Sequence, residues 1–420
     1  MKILVVGSGG REHALVWKIS QSRRVDEIYA APGNAGIRDL ATIVDIKASN
    51  FIELADFAQE KDIDLTVVGP EMPLSLGIVD EFNKRNLKIF GPTQKAAILE
   101  SSKSFAKEFM QKTGIPTAPF KVFISPNEAL EYLKASSFPQ VIKADGLAGG
   151  KGVFICNNIS ESIEVLKMIM IEKKFGKSGE KVVIEDFLEG KEMSFMVVTD
   201  GKRALPFVTS MDYKKALEND KGLNSGGMGA ISPSPVIDEN LYNDIMKTVI
   251  QPTIEGMKRD GKEFRGVLYA GLIITASGPM ALEYNVRFGD PETQPVLLRL
   301  NSDLVDILEG SADGSLYDIP VEWDEGVSGC VVLTSKGYPQ KYETGKQVMG
   351  LERAKAKGVE IFHAGTTFRD NALYTSGGRV LNICAKAPTL KDVMKKVYDA
   401  ISFISFDNLN FRPDIGRLKQ

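Results

Sequence analysis

The first hundred residues alternate short apolar runs with helical patterns: "KILVV" (2–6), "EIYAA" (27–31), "LTVVG" (65–69) and "LKIFG" (87–91), with amphipathic stretches between them. That rhythm predicts parallel strands joined by crossover helices, an open α/β domain. Each run breaks into a polar or glycine-rich loop: "GSGGRE", "PGNAG", "PEMP" and "PT". Loops after the carboxyl ends of parallel strands gather on one edge of the sheet, where such folds bind ligands. Arg11, Asn34 and Glu71 are therefore expected to converge on one ligand, although Gly and Pro there also serve as ordinary turn residues.

The loop in "VVGSGGREH" (5–13) lies between a buried strand and a helix predicted from Glu12 to Ser20. Glycines at a helix N-terminus leave N–H groups free for an anion, so a phosphate site is expected there. A dinucleotide is disfavoured. Its fingerprint needs a third glycine where this chain has Glu12, and an acidic residue after the second strand where this chain has "PGNAG".

At 420 residues the chain should form two to four packed domains. It has no apolar run of ~20 residues and no signal-peptide layout, so a cytoplasmic protein without a membrane partner is expected. The net charge of −3, with scattered basic residues, gives no electrostatic footprint for nucleic acid. Cys156, Cys330 and Cys384 lie in separate apolar segments without metal-ligand spacing and read as buried thiols. With only His13 and His363 available, a histidine triad or zinc cluster is hard to build.

Four later segments carry chemistry. "QVIKADGLAGGKGVFIC" (140–156) reads as strand, glycine loop, strand. It is not a Walker A loop, because Asp145 and Gly152 stand where that motif needs Gly and Ser or Thr. A hairpin tip with Gly149, Gly150 and Lys151, and Lys143 on the incoming strand, can fold over a triphosphate. "VVIEDFLEGKEMSFMVV" (182–198) reads as two strands whose connection can face an adenine edge, with Glu185 nearby and Glu192 free to accept from ribose hydroxyls.

In "MALEYNVRFGDPETQ" (280–294), strand alternation places Leu282, Tyr284 and Val286 on one face and Glu283, Asn285 and Arg287 on the other. Glu283 and Asn285 offer the oxygen ligands Mg²⁺ prefers, and Arg287 can hold a transferring phosphoryl group. Asp290 follows in a "GDPE" turn. "TSMDYKKALENDKGLNSGGMGA" (209–230) lacks periodicity and reads as a long functional loop or lid. Asp212 there can bind an ammonium and Lys214 a carboxylate or phosphate, or both can be surface charge.

Taken together, "GSGGREHAL", "APGNAG", "VGPEMPL", "IFGPT", "IKADGLAGGKGV", "NSGGMGA" and "RFGDPETQ" resemble the glycinamide ribonucleotide synthetases, a family of ATP-grasp ligases; "HAGT" and "GGRVL" extend the likeness to the last domain. The resemblance implies an ATP-grasp fold with an N-terminal open α/β domain (1–101), an ATP-grasp domain (102–325, its small subdomain about 120–190) and a C-terminal strand-rich domain (326–420). It implies glycine and phosphoribosylamine as substrates, joined through glycyl phosphate, with ATP and Mg²⁺ or Mn²⁺ as cofactors. By the same likeness, Lys103, Lys143, Gly149, Gly150 and Lys151 contact ATP phosphates, and Glu185, Asp186, Phe187, Leu188 and Glu192 form the adenosine pocket. Glu283 and Asn285 hold the metal, while Arg287 and Asp290 serve the reacting centre. Gly9, Gly10, Arg11, Asn34 and Glu71 bind phosphoribosylamine, and Asp212, Lys214 and Asn224 belong to the substrate lid. Leu223 and Ser225 replace the Pro and Thr common in that lid, which loosens it. A stand-alone, monomeric enzyme is expected.

Overall fold

The computed structural model describes residues 1–316 and 319–417. The chain opens with β1 (Lys2–Gly7), α1 (Gly10–Ile19), β2 (Glu27–Pro32), β3 (Thr42–Ile43), α2 (Phe51–Glu60), β4 (Leu65–Val68), α3 (Glu71–Leu76), α4 (Ile78–Lys84) and β5 (Ile89–Phe90). The strands form one parallel sheet in the order β3-β2-β1-β4-β5. Ile3 to Val6 are wholly buried, as a strand covered on both faces requires. The loops after β1, β2, β4 and β5 share one edge, as the alternation predicts.

Two helices, α5 (Gln94–Ser101) and α6 (Lys103–Thr113), follow. Ser102 Oγ accepts from Phe105 N and starts α6, and Gly114 ends it in the left-handed region at φ +73°. Next comes a small unit of β6 (Phe120–Phe123), α7 (Pro126–Lys134), β7 (Gln140–Ala144), β8 (Val153–Cys156), α8 (Ile159–Leu166) and β9 (Val182–Asp186), with the sheet ordered β6-β9-β7-β8. It has a core of its own, built from residues such as Leu133, Ile142, Leu166 and Ile184.

The rest of the chain builds two further sheets. β10 (Lys191–Thr199) and β11 (Ala204–Pro206) lead to β12 (Met211–Asp212), the paired β13 (Lys215–Leu217) and β14 (Lys221–Asn224), and β15 (Gly229–Ser232). Then come α9 (Glu239–Ile245), α10 (Gln251–Arg259), β16 (Gly266–Thr275), β17 (Gly278–Asn285), α11 (Thr293–Arg299) and α12 (Leu304–Asp313). The chain closes with β18 (Val327–Ser335), α13 (Leu351–Lys355), β19 (Glu360–His363), β20 (Thr366–Arg369), β21 (Ala372–Thr375), β22 (Arg379–Ala387), α14 (Leu390–Ile401) and β23 (Leu409–Asn410). The central antiparallel sheet is β11-β10-β16-β17, and the last sheet is β12-β15-β18-β22-β19 with β23 added beside β18.

Two expectations change. The segment 209–230 is not an irregular loop: β13 and β14 form a hairpin, and β12 and β15 are strands of the C-terminal sheet. The sequence hides this because the strands are two to four residues long, too short to show alternation. The expected face of β17 also shifts. A bulge sets Gly271 opposite Glu283 and Leu272 opposite Ala281, leaving Leu282 out of the ladder. Ala281 therefore joins Tyr284 and Val286 in the core, while Leu282 is half-buried.

All three cysteines are buried and unbonded to one another, with Cys330 directly opposite Cys384 across β18 and β22. Among the described residues, no helix is long and apolar enough to cross a membrane.

The two histidines join α1 to β19 of the last sheet. His363 N donates to His13 Nδ1 at 2.8 Å, and His363 Nδ1 lies 3.0 Å from Thr366 Oγ1. Burial first, and then the charge of neighbouring groups including Lys355, lowers His13 to about 3 and His363 to about 4, against an ordinary 6.5. Between those values the unfolded chain binds protons that the folded chain refuses, so stability falls as pH drops below 6.5. Going from neutrality to about pH 5 should cost about 2 kcal/mol per histidine. Denaturant titrations at both pH values check this; His13→Asn, which keeps an acceptor but cannot titrate, should lessen the pH dependence.

Candidate active site

The β7–β8 hairpin and the N-terminus of α6 are built together. Asp145 accepts from Ser104 N at 2.6 Å and from Ser102 Oγ at 3.2 Å, and its carbonyl accepts from Lys103 N at 2.8 Å. An acidic side chain is favourable at this end of the helix dipole. Lys103 Nζ donates to Gly146 O at 3.1 Å. Burial pushes the Lys103 ammonium down from its ordinary value. Gly149, Gly150 and Lys151 are exposed at the hairpin tip.

Behind them, Glu185 is clasped by two lysines. Lys107 Nζ lies 2.5 Å from Glu185 Oε2, and Lys143 Nζ contacts Glu185 Oε1 and donates to Leu282 O at 3.1 Å. All three side chains are at most 6% exposed. Burial would raise the carboxyl, but Lys143 and Lys107 hold it below its ordinary value. Glu185 therefore faces Lys143 rather than an open base edge. Asp186 accepts from Gln140 Nε2 at 3.0 Å, Phe187 and Leu188 are exposed or half-buried on the connection to β10, and Glu192 is exposed near the start of β10.

Glu283, Asn285 and Arg287 share the polar side of the β17 strand and its extension. Arg287 Nε donates to Glu71 Oε2 at 3.2 Å, its Nη2 to Asn285 Oδ1 at 3.1 Å, and its Nη1 to Phe288 O at 3.2 Å. Nη2 also lies 3.3 Å from Glu100 Oε1, while Glu100 Oε2 accepts from Val286 N at 2.7 Å. Burial opposes ionisation of Glu71, yet Arg287 and Arg11 hold it at about 2. Glu100, where burial outweighs Arg287 and Glu71 adds repulsion, rises to about 6. Burial would likewise raise Glu283, but Lys214, Lys143, Lys103 and Arg287 together draw it down. Of these cations Lys214 lies 3.8 Å from the Glu283 carboxylate, and the site as a whole sets lysines and arginine against carboxylates. Glu283 and Asn285 are hard oxygen donors, and two protein ligands are what Mg²⁺ usually takes beside phosphate and water.

The opening loop differs from its expectation. Gly9 N is not free for a phosphate, because it donates to Glu12 Oε2 at 2.5 Å, while Glu12 Oε1 accepts from Arg11 Nε at 2.5 Å. Arg11 Nη1 donates to Phe288 O at 3.1 Å, tying the loop to the segment after β17. Gly10 is pressed against the last sheet: a Cβ there would lie 2.1 Å from Asn382 Nδ2. Asn34 donates to Ser8 O at 2.9 Å and His363 O at 2.8 Å, and accepts from Gly36 N at 3.0 Å. Its side chain shapes the loops from within.

Asp212 and Lys214 point inward rather than into solvent. Lys214 Nζ lies 3.3 Å from Glu192 Oε2 and 3.8 Å from Glu283 Oε1; burial opposes its charge, but these carboxylates raise it well above its ordinary value. Burial, then Glu292, raises Asp212 well up, and its Oδ1 has no hydrogen-bond partner. Nearby, Tyr269 Oη donates to Glu292 Oε1 at 2.5 Å and lies 2.7 Å from Ser194 Oγ. Asn224, at the end of β14, is half-buried beside this group's loop. Asp290 accepts from Gln294 Nε2 and from Arg379 Nη2, both at 2.8 Å.

The sequence matches three domain families in order: phosphoribosylglycinamide synthetase N domain over residues 1–100, its ATP-grasp (A) domain over 101–293, and its C domain over 328–418. This chain belongs to the phosphoribosylglycinamide synthetase family. It is 49% identical over 416 residues, 99% of each chain, to a phosphoribosylamine–glycine ligase of Caldanaerobacter subterraneus subsp. tengcongensis. It is 47% identical over 419 residues to that of Clostridium acetobutylicum, covering all of both. The solved phosphoribosylamine–glycine ligase of Thermotoga maritima superposes with a TM-score of 0.86 at 34% identity, covering 99% of this chain and 100% of that one. At the level of fold alone, a biotin carboxylase from Campylobacter jejuni superposes at 0.74 with 16% identity over 97% of this chain and 92% of that one. The fold is therefore ATP-grasp, in a family of ATP-using ligases.

Sequence reasoning passed over Glu12, Glu100, Lys107, Tyr269, Glu292 and Arg379. Glu12 had a signal, being the third residue after Gly9 and able to return to its N–H. The others meet their partners across long stretches of chain, 186 residues for Glu100 with Val286, which no local pattern encodes. Removing the shared partner of two buried lysines should be costly. Glu185→Gln should destabilise the protein by about 3–5 kcal/mol in denaturant titrations, whereas Glu192→Gln, at a half-exposed carboxylate, should change it by under about 1 kcal/mol.

Proposed function

We propose that this protein joins glycine to 5-phosphoribosylamine, consuming ATP and releasing glycinamide ribonucleotide, ADP and phosphate, a step of purine biosynthesis. What supports the reading is Lys214, 3.8 Å from Glu283, with the charges of Lys143, Lys103 and Arg287 also acting on that carboxylate, in a chain that belongs to this ligase family. A carboxylate is a poor acyl donor because oxide is a poor leaving group. One glycine oxygen therefore attacks the γ-phosphorus of ATP, the bond to the β-phosphate oxygen breaks with its electron pair, and glycyl phosphate and ADP result. The amine of phosphoribosylamine then attacks the acyl carbon, loses a proton, and phosphate departs.

Such transfer rests on positioning and on neutralising charge. Lys103 and Lys143, with Gly149, Gly150 and Lys151 closing from the hairpin, hold the phosphates. Asp186 to Leu188 and Glu192 border the adenosine, while Glu185 holds Lys143 in place. Glu283 and Asn285 would hold Mg²⁺, or Mn²⁺ in its place, and the ion would supply further charge neutralisation at the phosphates. Arg287 serves the reacting phosphoryl group. Asp212, with its unpartnered Oδ1, faces the glycine ammonium, with Lys214, Asn224 and Asp290 about it. Gly9, Gly10, Arg11, Asn34 and Glu71 form the phosphoribosylamine side, where Glu71 stays ionised through any physiological pH. Neither buried histidine is needed as a base. The reading includes a cytoplasmic monomer in which residues 1–101, 102–325 and 326–420 act as domains, 120–190 being the small ATP subdomain.

Phosphate release from Mg-ATP, measured with glycine and freshly generated phosphoribosylamine singly and together, tests the assignment. Release only when both are present, with glycinamide ribonucleotide formed, is expected; no release with both would refute it. Glu283→Ala should lower turnover by about 10³-fold or more and shift the magnesium dependence to higher concentration. Near-normal turnover would remove Glu283 from the metal site.

A further inference from the structure

The C-terminal sheet reaches the site through two side chains that have no part in the chemistry so far. Arg379, the first residue of β22, pairs through Nη2 with Asp290 Oδ2 at 2.8 Å. Its Nη1 donates to Asp290 O at 2.7 Å and to Gly226 O. Gly226 N in turn donates to Tyr338 Oη at 2.8 Å. Both main-chain polar groups of Gly226 are thus held by side chains that follow β18 or begin β22. The fit is close: a Cβ on Gly226 would lie 2.9 Å from Tyr338 Oη and 3.1 Å from Arg379 Cζ, and one on Gly227 would lie 2.3 Å from Pro291 Cδ and 2.8 Å from Asp212 Oδ1. The phosphate hairpin comes to the same place, since a Cβ on Gly150 would be 3.3 Å from Ser225 O. So does the opening loop, where a Cβ on Gly9 would be 3.4 Å from Asp290 Oδ2.

We propose that Arg379 and Tyr338 are positioning residues for the amino-acid substrate, acting through the Ser225–Gly227 segment and the Asp290 carboxylate rather than by touching the reactants. The inference rests on the ligase reading. Guanidinium–carboxylate pairs with two parallel donors fix angle as well as distance. Here one guanidinium fixes the Asp290 carboxylate and two main-chain carbonyls at once. Asp212 lies on β12 of the last sheet, where a Cβ on Gly227 would be 2.8 Å from its Oδ1, and Asp290 is held by Arg379, so both carboxylates take their places against that sheet. The lysines of the ATP side, Lys103 and Lys143, have partners elsewhere. Loss of the clamp should therefore separate the two substrates kinetically. A displacement of about 1 Å at a reacting group costs on the order of 100-fold.

The test uses the full-length protein and its Arg379→Met, Arg379→Lys and Tyr338→Phe variants. Initial rates are measured with glycine, phosphoribosylamine and ATP varied in turn, and ATP binding by calorimetry. Arg379→Met should lower kcat/KM for glycine by about 100-fold while the Kd for ATP stays within about twofold. Tyr338→Phe, which removes one hydroxyl and little packing, should give the same pattern at about tenfold. Arg379→Lys should recover part of the loss. If Arg379→Met does not fold, the other two variants decide. Equal loss for ATP and glycine would make the clamp merely structural, and kcat/KM for glycine within about threefold in the folded variants would remove it from positioning; either overturns the inference. Absence of turnover in the unsubstituted protein would overturn the ligase reading and this inference together, whereas turnover with unchanged glycine kinetics overturns this inference alone.

Discussion

An ammonium or guanidinium withdrawn from water is unstable unless carboxylates face it, and here the charges of Lys214, Lys143, Lys103 and Arg287 all act on Glu283, with Lys214 Nζ 3.8 Å from it. The carboxylates that make this tolerable come from different elements. Glu185 lies on β9 of the small unit, Glu71 opens α3 of the N-terminal domain, Glu100 lies in the last turn of α5, and Glu192 lies on β10. The ion pairs that keep the site charged are therefore also the contacts that set the domains against one another. Breaking the buried Lys107–Glu185–Lys143 cluster leaves charges without a partner away from water.

The same arrangement separates the roles of carboxylates of one chemical type. Glu71 and Glu100 both lie against Arg287, yet one is held at about 2 and the other rises to about 6. Burial opposes ionisation in both, and Arg287 and Arg11 answer it in both; they outweigh it for Glu71, whereas for Glu100 burial prevails and the charge of Glu71 adds repulsion. Charge placement of this kind can do without histidine, and both histidines are spent on joining α1 to the last sheet, where they stay neutral.

The parallel sheet, the glycine hairpin between β7 and β8, and the polar row Glu283, Asn285 and Arg287 were all legible in the sequence, because each depends on local periodicity or local turn chemistry. What was not legible depends on distant pairing. The bulge at Leu282 follows from the register with β16, and the strands β12 and β15 are recognisable only beside β18. Glu12 read as a missing glycine, a negative sign against a dinucleotide. In the fold it is a positive one, since its carboxylate takes the N–H that a phosphate would have used. Arg379 stood in a motif that carried the family likeness without a task, and its partners Gly226 and Asp290 lie 153 and 89 residues away.

In the proposed reaction ATP phosphorylates the glycine carboxylate, so that one oxygen of the amino acid leaves as part of phosphate. Turnover of glycine labelled with ¹⁸O in both carboxyl oxygens, in unlabelled water with Mg-ATP and phosphoribosylamine, measures that transfer directly. Mass spectrometry should find one labelled oxygen in each phosphate formed and the other retained in the amide of the product. Unlabelled phosphate accompanying product would show that the carboxylate is never phosphorylated and would contradict the account.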